Sequence, residues 1–303
     1  MYIQTALRQF CDHSSFIRGY RPTTIQRYKN AVGFFIRTEG IETLQQVTKP
    51  CFERYMLYGR TTRKWSANSF ITYHKSFVVF FRWCVEQGYM QENPADGMEM
   101  PKLERRLPPK LTKQEAMRIL ETAMNFPYPY KYLKYRNHAI FATFLYAGLR
   151  KQELLNLQYN DIDVENRSIF IRQGKGSKDR VVPICSALQE SLDRYLVERK
   201  RLHKTCPEFF ASLNRNVGFT GTGMKRLVEK MKEASGIKFS VHKLRHSFAT
   251  MMLEGGCDIY SLSKMLGHAD LKTTSIYLAA SAEHLRTQIN KHPLDDSSTY
   301  NAL

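Results

Sequence analysis

The chain has 303 residues, enough for two domains that each bury a core, since single domains commonly run about 100–200 residues. With 43% hydrophobic residues, 17 Tyr and 18 Phe, it is too apolar and too aromatic for a disordered polymer. The 46 basic against 28 acidic residues leave a formal charge of +18, which favours a polyanionic partner; no apolar run approaches the roughly 20 residues needed to span a bilayer, and the opening MYIQTALRQFCDHS lacks a signal peptide's apolar centre.

A cytosolic protein is therefore expected, with no membrane partner. The six cysteines, Cys11, Cys51, Cys84, Cys185, Cys206 and Cys257, lie far apart, with no CxxC pair and no His at zinc-finger spacing. Reduced, non-ligating thiols are the expectation.

In chain order, Ile25, Tyr28, Val32 and Phe35 recur at helical spacing after Pro22-Thr23, with Arg27, Lys29 and Arg37 mostly on other faces. A second long helix is predicted from near Ser66 through Phe70, Tyr73, Phe77, Phe80, Phe81 and Cys84, stopping at Gly88. The first hundred residues thus read as a small all-helical bundle. The stretch GMEMPKLERRLPPKLT, residues 97 to 112, breaks the periodicity with Pro101, Pro108 and Pro109 and reads as an interdomain linker. Residues 1 to 100 carry 13 basic and 8 acidic side chains and residues 101 to 303 carry 33 and 20, so both parts are basic and both could grip one polyanion.

Helices are expected to about Leu157, followed by a hairpin. Its strands are Ser168 to Arg172 and Arg180 to Ile184, and its basic tip runs from Gln173 to Asp179. Helical periodicity returns from Leu188, with stops at Gly236, Gly255-Gly256 and Gly267, and the tail from His292 to Leu303 is polar.

Four segments could carry chemistry. In FATFLYAGLRKQELLNL, Gly148 breaks a helix and Arg150 leads into the next; Glu153, three residues on, could brace that arginine or merely decorate the surface. At the hairpin tip, Lys175 could protonate a leaving oxygen, although Lys178 and Arg180 beside it fit simple phosphate contact equally well, and GKGSK is not a P-loop. In SVHKLRHSFATMMLEGG, Ser240 caps a helix and Gly255 ends it, and His242, Arg245 and His246 share a face. A guanidinium beside an imidazole suits a phosphate, but a solvated helix face would look the same. Last, SLSKMLGHADLKTTSIYLAA places His268 after a helix ending near Gly267, and Tyr277 on a helix starting near Asp270; one tyrosine among 17 is ordinarily a packing residue.

Taken jointly, these segments resemble the tyrosine recombinase family, the phage-integrase and Xer-like enzymes. That family's ordered signature is a GLR-x-x-E turn, a hairpin lysine, an HxLRH helix, an LGH turn and a tyrosine nine residues after the last histidine. Here stand Gly148-Leu149-Arg150 with Glu153, Gly174-Lys175-Gly176, His242-Lys243-Leu244-Arg245-His246, Leu266-Gly267-His268 and Tyr277. The resemblance covers about residues 110 to 290, and the basic helical segment before it looks like the family's core-binding domain.

The resemblance implies a mainly α fold with a small β-sheet or hairpin, arranged as a two-domain C-shaped clamp. Its parts would be a helical core-binding (SAM-like) DNA-binding domain at 1–98, a linker at 99–111, a catalytic domain at 112–291 and a C-terminal tail at 292–303. It implies site-specific cleavage and rejoining of double-stranded DNA through a 3′-phosphotyrosyl link and a Holliday junction, with no metal, no ATP and no other cofactor. Tyr277 would be the nucleophile and Arg150 and Arg245 would brace the phosphate. Lys175 would protonate the leaving oxygen, and His242 and His268 would assist proton movement, with His242 the better general base. Glu153 and His246 would support them, and Arg27, Lys29, Lys75, Lys178, Arg180 and Lys243 would contact DNA.

The same resemblance implies a tetramer on two paired sites, docking of a segment after the tyrosine (Ser281 to Asn290) on a neighbour or on its own domain, and location on the nucleoid when bound to DNA. An accessory DNA-bending protein or a partner recombinase is a further partner it allows. The short stretch before residue 15 fits a simple, Xer-sized enzyme. Two rivals are a non-catalytic DNA-binding regulator of the same fold and a type IB topoisomerase-like enzyme. A serine recombinase or metal-dependent nuclease is disfavoured, with no serine motif or carboxylate cluster in view.

Overall fold

The computed structural model describes residues 1–103, 109–172, 179–268 and 270–280. The chain divides into two compact units, Met1–Arg105 and Arg106–Leu303.

The first unit is helical: α1 (Ile3–Phe16), α2 (Pro22–Glu39), α3 (Lys49–Thr61) and α4 (Ala67–Glu86). The starts of α2, α3 and α4 are written locally. Pro22 opens α2, where a missing N–H costs nothing; the Thr48 and Ser66 hydroxyls accept backbone N–H groups at the starts of α3 and α4; Gly40 ends α2 in the left-handed region. The apolar faces meet in an aromatic core. Phe35 lies edge-on to Tyr55 at 4.8 Å, and Phe52 edge-on to Phe77 at 5.1 Å. Edge-to-face geometry of this kind adds about 0.5–1.5 kcal/mol per pair beyond the area buried.

The second unit begins with α5 (Lys113–Asn125), α6 (Lys131–Ala147) and α7 (Lys151–Asn156). A three-stranded antiparallel sheet follows, made of β1 (Ile162–Asp163), β2 (Ser168–Ile171) and β3 (Arg180–Pro183). Then come α8 (Ser186–Arg201), α9 (Gly221–Ser235), α10 (Val241–Glu254), α11 (Ile259–Leu266) and α12 (Lys272–Ala280). Helix α6 packs against α5, α8 and α10 and buries residues from Ala139 to Leu145 on every side, which explains its lack of an amphipathic pattern.

Both expected strands form, each ending one residue early, with Ile169 opposite Val182 and Ile171 opposite Arg180. The two-residue β1 at the sheet edge was not anticipated from the sequence. A smaller core joins α10, α11 and α12 through Phe248, Ala249, Leu253, Leu262, Leu266 and Tyr277. All six cysteines are free, and among the described residues no helix is long and apolar enough to cross a membrane.

Candidate active site

The site grows from a glycine corner. Gly148 ends α6 at φ 61°, and a Cβ there would lie 2.2 Å from the Phe248 ring, so both conformation and space require glycine. The corner delivers Arg150 to the N-cap of α7. There Glu153 accepts the Arg150 backbone N–H at 2.7 Å and its guanidinium at 2.6 Å.

Glu153 is buried, and its main partner comes from the sheet. Arg180 on β3 donates Nη1 to Oε1 at 2.9 Å and Nη2 to Oε2 at 2.7 Å, a two-pronged pair with both side chains 8% exposed. This runs against the expectation of Arg180 as a DNA contact: its side chain is turned inward onto Glu153. Burial alone would raise the Glu153 pKa, but Arg180, through hydrogen bonds and charge, and then Arg150 outweigh it and hold the carboxyl at about 2.

Three guanidinium groups meet the end of α11. A helix leaves its last carbonyls unpaired and carries partial negative charge there. Arg180 Nε donates to the Met265 carbonyl at 2.8 Å, Arg245 Nη2 to that of Leu266 at 2.7 Å, and Arg150 Nη2 to that of Gly267 at 3.0 Å. Arg245 also donates to the Gly148 carbonyl at 2.6 Å, tying the two glycine corners together. Its burial first, then the neighbouring positive charge of Arg150, bring its pKa down to about 10, so it stays charged at neutral pH.

Two imidazoles complete the cluster. His268 Nε2 lies 3.3 Å from Arg245 Nη2 and its Nδ1 lies 2.8 Å from the Thr274 hydroxyl on α12. Because a guanidinium can only donate, Nε2 accepts and the ring proton sits on Nδ1, facing Thr274. Burial, then the charges of Arg245, Arg150 and Arg180, lower the His268 pKa to about 4. His246 Nδ1 lies 2.8 Å from the Tyr277 hydroxyl, and burial, with His242 and Arg245 nearby, keeps that imidazole neutral at pH 7. Tyr277 is itself 2% exposed; burial raises its pKa while Arg245 and Arg150 pull it down.

The fold therefore brings Arg150, Glu153, Arg180, Arg245, His246, His268 and Tyr277 into one network. His242 stands exposed on α10 and is not the group at the phenol; the phenol's partner is His246. Lys243 donates to the Lys238 carbonyl at 3.2 Å. Lys175 and Lys178 lie outside the described residues, as do Ser281 to Asn290 and the tail. Arg27, Lys29 and Lys75 are exposed on α2 and α4 of the first unit. Sequence reasoning missed Thr274, a buried hydroxyl three residues before Tyr277, and nothing but that helical spacing hinted at it. Among the described residues no group of three His, Cys, Asp or Glu could hold a metal ion.

Comparison with known proteins matches residues 109–284 to the phage integrase family and residues 7–91 to the phage integrase N-terminal SAM-like domain. The chain is 30% identical over 297 residues to tyrosine recombinase XerC of Lactobacillus leichmannii, covering 95% of this chain and 98% of the relative. It is 37% identical over 205 residues to tyrosine recombinase XerA of Pyrococcus horikoshii, covering 67% and 68% of the two. In fold it is similar to XerH recombinase in a post-cleavage complex with a palindromic difH substrate, with a TM-score of 0.74, 21% identity and coverage of 94% and 83%. It is similar too to a lambda integrase tetramer bound to a Holliday junction, with a TM-score of 0.72, 18% identity and coverage of 94% and 78%. With the family model spanning more than half the chain and a near full-length relative at 30% identity, this protein belongs to the phage integrase family of tyrosine recombinases.

Proposed function

We propose that this recombinase exchanges strands of double-stranded DNA at specific sites, with Tyr277 as its nucleophile. The observation that carries the reading is the convergence of Arg150, Arg245 and His268 with Tyr277 around the end of α11. The phenol oxygen attacks a backbone phosphorus, a 3′-phosphotyrosyl bond forms, and the bond to the 5′ oxygen breaks. Negative charge building on the non-bridging oxygens is met by Arg150 and Arg245, preset in position by backbone carbonyls. Lys175 gives its proton to the departing 5′ oxygen, and His268, whose ring proton faces Thr274, holds the Arg245 guanidinium through Nε2.

Proton removal from the phenol falls to an imidazole of α10. His246, neutral and 2.8 Å away, has the geometry in its favour; His242 becomes a participant where DNA reaches its exposed position. Attack by the released 5′ hydroxyl of another strand reverses the chemistry, so the phosphodiester energy is kept and no ATP is consumed. Arg27, Lys29 and Lys75 on the helical domain (1–98), with Lys178 and Lys243 on the catalytic domain (112–291), contact backbone phosphates and hold the duplex between steps. Residues 99–111 link the two. A tetramer on two paired sites, passing through a Holliday junction, is the assembly this reading entails; the lambda integrase relative was captured in that form.

The test uses DNA recovered by binding selection with this protein, rebuilt as a nicked substrate whose cleavage releases a short fragment. Wild-type protein in EDTA is expected to leave a protease-sensitive adduct at a 3′ end, and Tyr277→Phe none. Binding without an adduct would indicate a DNA-binding regulator, and supercoil relaxation without strand exchange a topoisomerase.

A further inference from the structure

The buried arginine on β3 has no role in that mechanism, yet it alone of the three arginines grips both oxygens of Glu153. We propose that Arg180 is a positioning residue that balances the charge of Glu153, so that Arg150 and Arg245 keep their full charge for the scissile phosphate.

Glu153 poses a conflict of charge. Three residues from Arg150 and 2.6 Å from its guanidinium, this carboxylate would by itself offset the charge that the phosphate needs. Its Oε2 also lies 3.9 Å from Arg245 Nη1, so both bracing arginines feel it. Yet Glu153 is required locally, because it takes the Arg150 backbone N–H and fixes the corner after Gly148. A buried carboxylate with one half-exposed partner would pull that partner inward. Arg180 removes the conflict by covering both carboxylate oxygens. Three guanidinium charges and one carboxylate leave a net charge of +2 at the site, with Arg150 sharing Oε1 with Arg180 while Arg180 alone takes two-pronged hold of the carboxylate.

Position follows the same residue. The third donor of Arg180 reaches the Met265 carbonyl, and a Cβ on Gly267 would lie 2.9 Å from the Arg180 side chain. Arg180 therefore sets the height of the Gly267-His268 turn against α7. Arg150 reads that turn through the Gly267 carbonyl. The Arg150 side chain is 23% exposed against 8% for Arg180 and 7% for Arg245; what sets Arg180 apart from both is its two-pronged pair with Glu153.

The inference rests on the proposed strand-cleavage function and deepens it. The experiment is single-turnover cleavage of the nicked substrate at saturating protein, with DNA affinity measured separately, for Arg180→Gln, Glu153→Gln, the double variant and Arg180→Lys. Arg180→Gln should cleave about a hundredfold more slowly with DNA affinity within about twofold of wild type, since the loss concerns the transition state. Adding Glu153→Gln should then recover the rate by at least about tenfold, because the uncompensated carboxylate is the cause of the loss. Arg180→Lys, which keeps the charge, should stay within about tenfold of wild type. A double variant as slow as Arg180→Gln, or slower, would overturn the proposal, as would wild-type cleavage by Arg180→Gln. Should Arg180→Gln fail to fold, Arg180→Lys decides: a folded lysine variant about a hundredfold slower contradicts charge balance. Absence of any adduct from the wild-type protein would instead refute the strand-cleavage reading itself.

Discussion

The hydroxyl of Tyr277 lies 2.8 Å from Nδ1 of His246, and this contact closes the small core between α10, α11 and α12 over the phenol. At 2% exposure the phenol meets neither solvent nor a phosphate as it stands. On the proposed mechanism, attack on DNA requires α12 to shift.

Chemical modification measures that shift. Nitration by tetranitromethane, followed by peptide mapping, should leave Tyr277 among the slowest tyrosines in the free protein and speed it by about tenfold on binding of uncleaved DNA, as a buried contact of one neutral hydrogen bond opens. Equal reactivity with and without DNA would contradict a closed resting position. His246→Phe, which keeps the ring and removes the acceptor, should raise Tyr277 nitration in free protein while slowing cleavage by about a hundredfold, the ordinary contribution of a positioned base.

Arg245 links stability to chemistry. Its side chain donates to the Gly148 and Leu266 carbonyls and is 7% exposed. Arg245→Ala leaves two buried acceptors without donors, at about 1–3 kcal/mol each. Thermal denaturation should therefore drop by roughly 5–15 °C for a unit of this size. Arg245→Lys keeps the charge but cannot serve two carbonyls and a phosphate together. It should lose less stability than alanine yet cleave far more slowly than wild type.

Acid should loosen the second unit before it affects the first. His268 is held at a pKa of about 4 by burial and the adjacent arginines, and His138, whose Nδ1 lies 2.7 Å from the Ser191 hydroxyl, at about 4 by burial and Arg194. Both values lie below the unfolded value of about 6.5, so the unfolded chain binds more protons between the two. Stability is thus full above about pH 6.5 and is lost as pH falls toward 4. At pH 5 the loss is about 2 kcal/mol per imidazole before solvent screening, which reduces it. Denaturant midpoints between pH 7 and 5 should fall for wild type and fall less for His138→Asn; a flat profile in wild type would contradict the assigned shifts.

Several elements were legible because their causes are local. Ser66 and Ser240 cap helices whose starts they mark, Gly148 and Gly267 end helices at positive φ, and alternation in Ser168 to Ile171 places Ile169 and Ile171 inside. The partners of the site were not legible, because they are set by tertiary approach. Arg180 lies 27 residues from Glu153, on a strand whose charged neighbours suggested a solvent-facing basic loop. The carbonyls of Met265, Leu266 and Gly267 have no signature in side-chain pattern at all. The sequence pointed to His242 as the better general base and to His246 only as a support; the position of α12 makes His246 the phenol's partner.

The central claim is that one phenol carries the covalent step with arginines supplying the charge. The most direct measurement is mass spectrometry of the protease-digested adduct trapped in EDTA. The account predicts a nucleotide 3′-phosphate on the peptide containing Tyr277, at a level abolished in Arg150→Ala and Arg245→Ala. An adduct on a different tyrosine, or one that appears only when a divalent metal is added, would contradict it.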